Sequence, residues 1–384
     1  METIKLAEKI IDQQDVESLI SWLKQSDQFT KGKQTLLFEA EWSKWLGSKH
    51  SVFVNSGSSA NLLVTLALLY SGRLRNNKVI VPAISWVTTV SPAMQLGMTP
   101  ILCDTDKEDL GLDVEHFENL CKLHKPSVAF IVHVLGHANK MKEIIAICKK
   151  YNVLLVEDTC EAYGSEYTRQ KLGTFGIAST HSFFYGHAMS TVEGGMVSTD
   201  DSELFNLMLS LRSHGWLRDN QSEYKNKMLE KYDMKDPFLE NYFFVHPGLN
   251  IRNTDINAFI GMGQIKKLDK HVKQRNKNYN LYVDNLSDHV WVQKSKTEPV
   301  SALSFGLIHE NRKEIVNDLI ENNIECRPLI CGSIQEHPFW YERYEKVSLP
   351  NASKVHNYGL YVPCHQSMTE DQVKYISDII KRNV

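Results

Sequence analysis

The chain has 384 residues, 42% of them hydrophobic and 23% charged, with a formal net charge of −3. That is an ordinary globular composition, long enough for a large domain and a smaller one. The near-neutral balance excludes an electrostatic case for nucleic acid or a membrane surface as partner. No run approaches the ~18 apolar residues of a membrane span.

The opening stretch, METIKLAEKIIDQQDVESLISWLKQ, carries acids throughout. It predicts an amphipathic helix over residues 1–25 rather than a leader peptide. Seven cysteines, none in a C-x-x-C pair, predict reduced thiols and a cytoplasmic protein.

From about residue 50 to 210, short apolar runs alternate with helical segments: SVFVNSG, a helix at SANLLVTLALLYSG, then VIVPAIS, TPILCDTD, SVAFIVHVLG, a helix at KMKEIIAICKKYN, VLLVEDT, THSFFYG and GGMVSTDD. Near-continuous apolar runs between helices imply a mostly parallel sheet covered on both faces, an α/β fold. Ligands of such sheets bind at the carboxyl ends of the strands. Residues 215–255 are irregular, and a long basic helix is read from about 262. Beyond it VWVQKS, ALSFGLIHE, NRKEIVNDLIENN, IECRPLI and TEDQVKYISDIIKRN read as a smaller α+β unit. The predicted division is 1–255 and 256–384.

Chemistry concentrates at the strand ends. Gly57 and Ser58, in NSGSSANLL, turn a strand into a helix whose free amides suit a phosphate or serve only as a cap. Trp86, past the next strand, could stack on a flat heterocycle or sit in a core. Asp158 ends VLLVED, where it suits a pyridinium nitrogen, a metal or ribose, or a helix cap. Ser182 offers a hydroxyl for phosphate. His187 follows five residues later, six before Glu193-Gly194-Gly195.

In that order and spacing the residues resemble the DegT/DnrJ/EryC1/StrS sugar aminotransferases, fold-type I pyridoxal phosphate enzymes. In these a lysine occupies the position of His187. The resemblance implies an aspartate-aminotransferase-like large domain, pyridoxal 5′-phosphate and pyridoxamine 5′-phosphate as cofactor, and a homodimer with shared sites. Imidazole cannot hold the cofactor as a stable imine, yet it remains an acid–base group near neutrality. Together with LRSHGWLRD, FFVHPGLNIR and NNIECRPLICG, the histidine resembles a 3-dehydratase branch of the family, in which GDP-linked 4-keto-6-deoxy sugars, hexose or heptose, lose the C3 hydroxyl and L-glutamate restores the amine form. A nucleotide-sugar aminotransferase, or a lysine-replaced variant of one, is the alternative. An iron–sulfur branch carries clustered cysteines that have no counterpart here.

By the same likeness His214 and Arg252 grip glutamate or the sugar, Arg218 meets the nucleotide, and Asn250 reaches a neighbouring subunit's cofactor phosphate. Each arginine could equally serve in a surface ion pair. Glu161 and Arg327 complete the expected site, and TKGK (30–33) resembles a guanosine-side loop. One departure is Ala188, where the histidine-bearing branch has a second histidine.

Overall fold

The computed structural model describes residues 3–384. The strands are β1 (His50–Val54), β2 (Lys78–Pro82), β3 (Thr99–Cys103), β4 (Val128–Val132), β5 (Leu154–Asp158), β6 (Glu166–Tyr167), β7 (Gln170–Lys171), β8 (Ala178–Ser182), β9 (Gly195–Thr199), β10 (Trp291–Val292), β11 (Ser304–Ile308), β12 (Arg327–Pro328) and β13 (Gly359–Pro363). Seven of them form one sheet in the order β1-β9-β8-β5-β4-β2-β3. It is mostly parallel, as predicted: only β9 runs against its neighbours.

The apolar runs make this sheet because both faces are covered. Val79, Val81, Val128, Phe130 and Val132 pack on one side with the Gly57–Tyr70, Val87–Gln95 and Ser202–Arg212 helices. The alternate residues Ile80, Ala129 and Ile131 face the Val114–His124 and Met141–Tyr151 helices. Leu63 and Leu68 of the first helix are at most 1% exposed, and burying each contributes roughly 1.5–3 kcal/mol.

The turn after β1 is tight for a reason that excludes any side chain at position 57. A Cβ there would lie 2.5 Å from Ser182 Cβ, so only glycine lets the helix start against the end of β8. Ser56 caps that helix by accepting from Ser59 N–H at 3.0 Å.

Two helical expectations change. The N-terminal helix spans Gln13–Leu23 only, because Asp12 and Asp15 form a reciprocal capping box there. Before it, Ile4 N–H donates to Asn323 O (2.9 Å), Glu325 N–H to Ile4 O (3.0 Å), and Leu6 N–H to Glu325 Oε2 (2.9 Å). Residues 1 and 2 of the expected helix lie outside the described residues. The long helix starts at Asp255, earlier than read, and runs to Leu286, a span of about 48 Å. Within it a Cβ at Gly261 would sit 2.7 Å from Phe38 Cζ. The glycine permits contact with the Lys33–Leu46 helix and does not end its own.

Asp255 also fixes the start of that neighbouring helix, accepting from the amides of Gly32 (2.7 Å), Gln34 (3.0 Å) and Thr35 (2.9 Å). The far part of the chain holds the antiparallel sheet β10-β11-β13-β12, backed by the Arg312–Glu321 and Glu370–Lys381 helices around a second core. The irregular stretch 215–255 contains the short helices Ser222–Lys231 and Pro237–Glu240.

Candidate active site

The carboxyl ends of β1, β2, β4, β5 and β8 open into one cavity of about 610 Å³. Gly57, Ser58, Trp86, Asp158, Glu161, Ser182, His187 and Arg327 all line it. Eight of the twelve residues singled out in the sequence therefore share one space.

Its floor is a hydrogen-bonded network around Asp158. Asn61 Nδ2 and Thr89 Oγ1 donate to Asp158 Oδ2 at 2.9 and 2.8 Å, and Cys160 N–H donates to Oδ1 at 3.1 Å. Thr180 Oγ1 donates to Asn61 Oδ1 at 2.7 Å and so sets which way the amide faces. The carboxylate is held by donors from three segments and still borders the cavity. The helix amides at Gly57 and Ser58 and the Ser182 hydroxyl gather beside it, a suitable cradle for a phosphate. Trp86 caps the Val87–Gln95 helix and is 56% exposed toward this space.

His187 sits on a compact loop between β8 and β9. Its N–H donates to Phe184 O at 3.1 Å, and Thr191 N–H donates to Phe183 O at 3.0 Å. The ring lies 5.9 Å from that of Tyr163, whose hydroxyl donates to Ser182 O. Nδ1 is buried without a hydrogen-bond partner among the described residues. Burial, and secondarily Arg275, push the imidazole down to about 4. It is neutral at pH 7, the state a base needs. Ala188 packs in the aromatic cluster of Trp42, Tyr163 and Phe183 rather than in the cavity.

Glu161 is buried and accepts from Leu135 N–H at 2.7 Å. Burial, reinforced by Asp158, raises its carboxyl to about 8.

Arg218, Asn250 and Arg252 line a second recess of about 450 Å³, with Gln28, Thr30 and Lys31. It adjoins the end of β1, where Arg252 bridges Val54, and Asn253 Nδ2 donates to Glu193 O at 2.9 Å. Lys31 pairs with Asp219 at 2.9 Å, and the Arg218 guanidinium stacks on Trp216 at 4.0 Å. His214 lines neither space: it is exposed, its backbone is left-handed (φ 64°), and its N–H donates to Leu249 O.

Several residues of the cavity and its floor escaped sequence reading. Asn61 and Thr89 stand one turn or less beyond Gly57 and Trp86, so helical spacing from the motifs could have found them. Lys5, Leu6, Ala7, Glu325 and Tyr361 also line the cavity; the first four arrive through the long-range pairing of Ile4 with Ile324 and Tyr361 through β13, for which no local signal exists. Lys5 is the one lysine among the lining residues.

Comparison with known proteins places this arrangement. A GDP-4-keto-6-deoxy-D-mannose 3-dehydratase of Yersinia pseudotuberculosis is 34% identical over 369 residues, covering 93% of each chain. The Escherichia coli GDP-4-keto-6-deoxy-D-mannose-3-dehydratase with bound hydrated PLP superposes with a TM-score of 0.90 at 32% identity, covering 99% of this chain and 100% of that one. A structure of such a dehydratase with a trapped PLP-glutamate geminal diamine gives 0.89 at 31%, over 98% and 100%. Residues 10–381 match the DegT/DnrJ/EryC1/StrS aminotransferase family as a whole, and the chain belongs to that family.

Proposed function

We propose that this protein removes the C3 hydroxyl of a GDP-linked 4-keto-6-deoxy sugar, using pyridoxal phosphate that it binds without a covalent tether and L-glutamate as amine donor. The observation that carries the reading is an imidazole on the loop between β8 and β9, facing a cavity that otherwise has what the cofactor needs. The residues fit the group: Gly57, Ser58 and Ser182 offer donors to its phosphate, Trp86 a face for its ring, and Asp158 a fixed carboxylate for its ring nitrogen. When bound, the cofactor supplies an amine for the sugar's C4 carbonyl and a ring that stores electrons while the C3–O bond breaks.

His187 carries the proton traffic. Neutral at pH 7, its imidazole would take a proton from the C4′ carbon of the bound cofactor and pass it to the departing C3 oxygen. Asp158, held by Asn61 and Thr89, keeps the ring nitrogen paired. A lysine at 187 would deliver its proton to sugar C4 instead, which is the aminotransferase outcome. Arg218, Asn250 and Arg252 are read as serving the cavity of a second copy, with arginine suited to carboxylate and diphosphate. The functional unit is thus a homodimer, working in the cytoplasm. Among the described residues no helix is long and apolar enough to cross a membrane.

The test is His187→Lys against the natural protein, each treated with borohydride and mapped by mass spectrometry, with sugar products identified alongside. The natural protein is expected to yield ketosugar and ammonia and to carry no cofactor adduct. The variant is expected to lose dehydration by about 10²–10⁴-fold and to carry an adduct on residue 187. An aminosugar from the natural protein, or an adduct on Lys5, would overturn the reading.

A further inference from the structure

We propose that Arg275 is the positioning residue for His187, tying the loop of the imidazole to the far wall of the cavity and keeping a fixed positive charge beside it. This rests on the reading of His187 as the base. Arg275 lies in the Asp255–Leu286 helix and is 1% exposed. Its Nε donates to Gln366 Oε1 at 2.9 Å. Nη1 donates to Ala302 O and Leu303 O at 2.8 and 3.0 Å, and Nη2 to His187 O at 3.4 Å. Leu303 itself lines the cavity. One guanidinium therefore joins the loop of the base to the wall opposite, and His271, one turn earlier, bonds Ala188 O at 3.0 Å.

The charge is unusual because nothing neutralises it. Among the described residues no carboxylate comes within 4.0 Å of Arg275; its partners are three carbonyls and an amide. Burying an uncompensated cation is costly, and an apolar residue or a glutamine would hold the helix more cheaply. Burial lowers the guanidinium only to about 10, so it stays charged at neutral pH.

The groups around His187 give the charge a use. Asp158, Glu161 and Glu193 border the same cavity, with Cys160 beside them. Tyr163 packs on the ring, while His271 and Lys267 belong to the long helix. Anionic groups such as a phosphate or diphosphate in this cavity favour an imidazolium, which cannot accept a proton. A cation fixed behind a dry wall offsets them without occupying the cavity. Its influence on His187 is second only to burial.

The imidazole can be titrated by NMR in cofactor-free protein labelled with ¹⁵N-histidine, the His187 signal being assigned by its absence from His187→Gln. Arg275→Gln is expected to raise the His187 midpoint by roughly one pH unit. The acid limb of kcat/KM for the glutamate half-reaction should move with it. Arg275→Lys, which keeps the charge and loses the fork, should leave the midpoint in place and lower kcat about tenfold or more with KM unaltered. A midpoint unchanged in folded Arg275→Gln would overturn the proposal and leave a structural clamp. If that variant does not fold, Arg275→Lys decides: a moved midpoint or an unaltered kcat sinks it. The NMR arm needs no turnover, so it stands or falls separately from the assignment of the reaction.

Discussion

In the deep cavity the floor is held entirely by its own chain, whereas the neighbouring recess is left open. Asp158 receives three hydrogen bonds, and Asn61, which supplies one, is itself oriented by Thr180. Across the wall formed by Glu193 and Asn253, the side chains of Asn250 and Arg252 have no hydrogen-bond or ion-pair partner among the described residues, and the Arg218 side chain is 55% exposed. A network with every donor assigned costs nothing to reorganise during reaction and suits chemistry on a rigid ring. Among the described carboxylates Arg218 meets only Asp219, at 3.8 Å, and the unpartnered fork of Arg252 awaits an anion brought by something else. The contrast teaches that the two spaces do different work: the floor of one is held within a single chain, and the other is read as completing a neighbour's cavity.

The largest expected effect tests the floor. Glu157 and Asp158 are adjacent on β5 and point to opposite faces. Glu157 is fully buried and accepts from the amides of Gly173 (2.9 Å), Phe175 (2.7 Å) and Gly176 (2.7 Å), with His133 at 3.1 Å. It is a loop anchor. Asp158→Asn should therefore cut turnover by about 10²–10³-fold with the melting curve little changed. Glu157→Gln should do the reverse, costing about 2–3 kcal/mol of stability while the folded fraction keeps its turnover. Melting curves and kcat for both variants decide it. The comparison breaks if the two acids exchange these effects.

The recess is tested by mixing subunits. If Arg252 serves the partner's cavity, His187→Gln and Arg252→Ala proteins are each nearly inactive alone. Refolded together in equal amounts, half the dimers would be hybrids with one intact site. About a quarter of natural activity should return. No recovery in a mixture shown by mass to contain hybrids would mean that Arg252 acts on its own chain or not at all.

How far the sequence alone could go follows the same division. The strand-end turn at Gly57, the acid at 158 and the loop histidine were legible because each lies beside an apolar run buried on both faces, and such runs end where parallel sheets bind ligands. Alternation along β5 implies that Glu157 and Asp158 face opposite ways, but not which face holds the cavity, since that depends on the order β8-β5-β4. The recess gathers residues from 28–31, 218 and 250–254, and the cavity's far wall comes from residues 5–7, 303–304, 325–330 and 361. Such assemblies depend on tertiary pairing that leaves no period in the chain. Position 188, where the histidine-bearing branch has a second histidine, packs here with Trp42, Tyr163 and Phe183, a placement the sequence does not signal.

The smallest effect concerns Glu161, where both kinds of region meet: a cavity residue with no ion-pair partner among the described residues. Burial first, then Asp158, raises its carboxyl from an ordinary 4.5 to about 8, against the pull of the Leu135 amide. The unfolded chain ionises this group near 4.5 while the folded one keeps its proton to about 8. Its contribution to stability is thus whole below 4.5 and is lost as pH rises toward 8. Glu161→Gln stays neutral throughout and can still accept from Leu135 N–H. In cofactor-free protein the variant should gain on the natural chain between pH 5 and 8 by about 3 °C in Tm, then level off. Asp109, raised to about 7, and the depressed histidines 137, 181 and 365 shift both curves equally and cancel in the difference. Parallel curves across that window would mean that Glu161 is ionised in the fold, and that the cavity's far side is wetter than its burial implies.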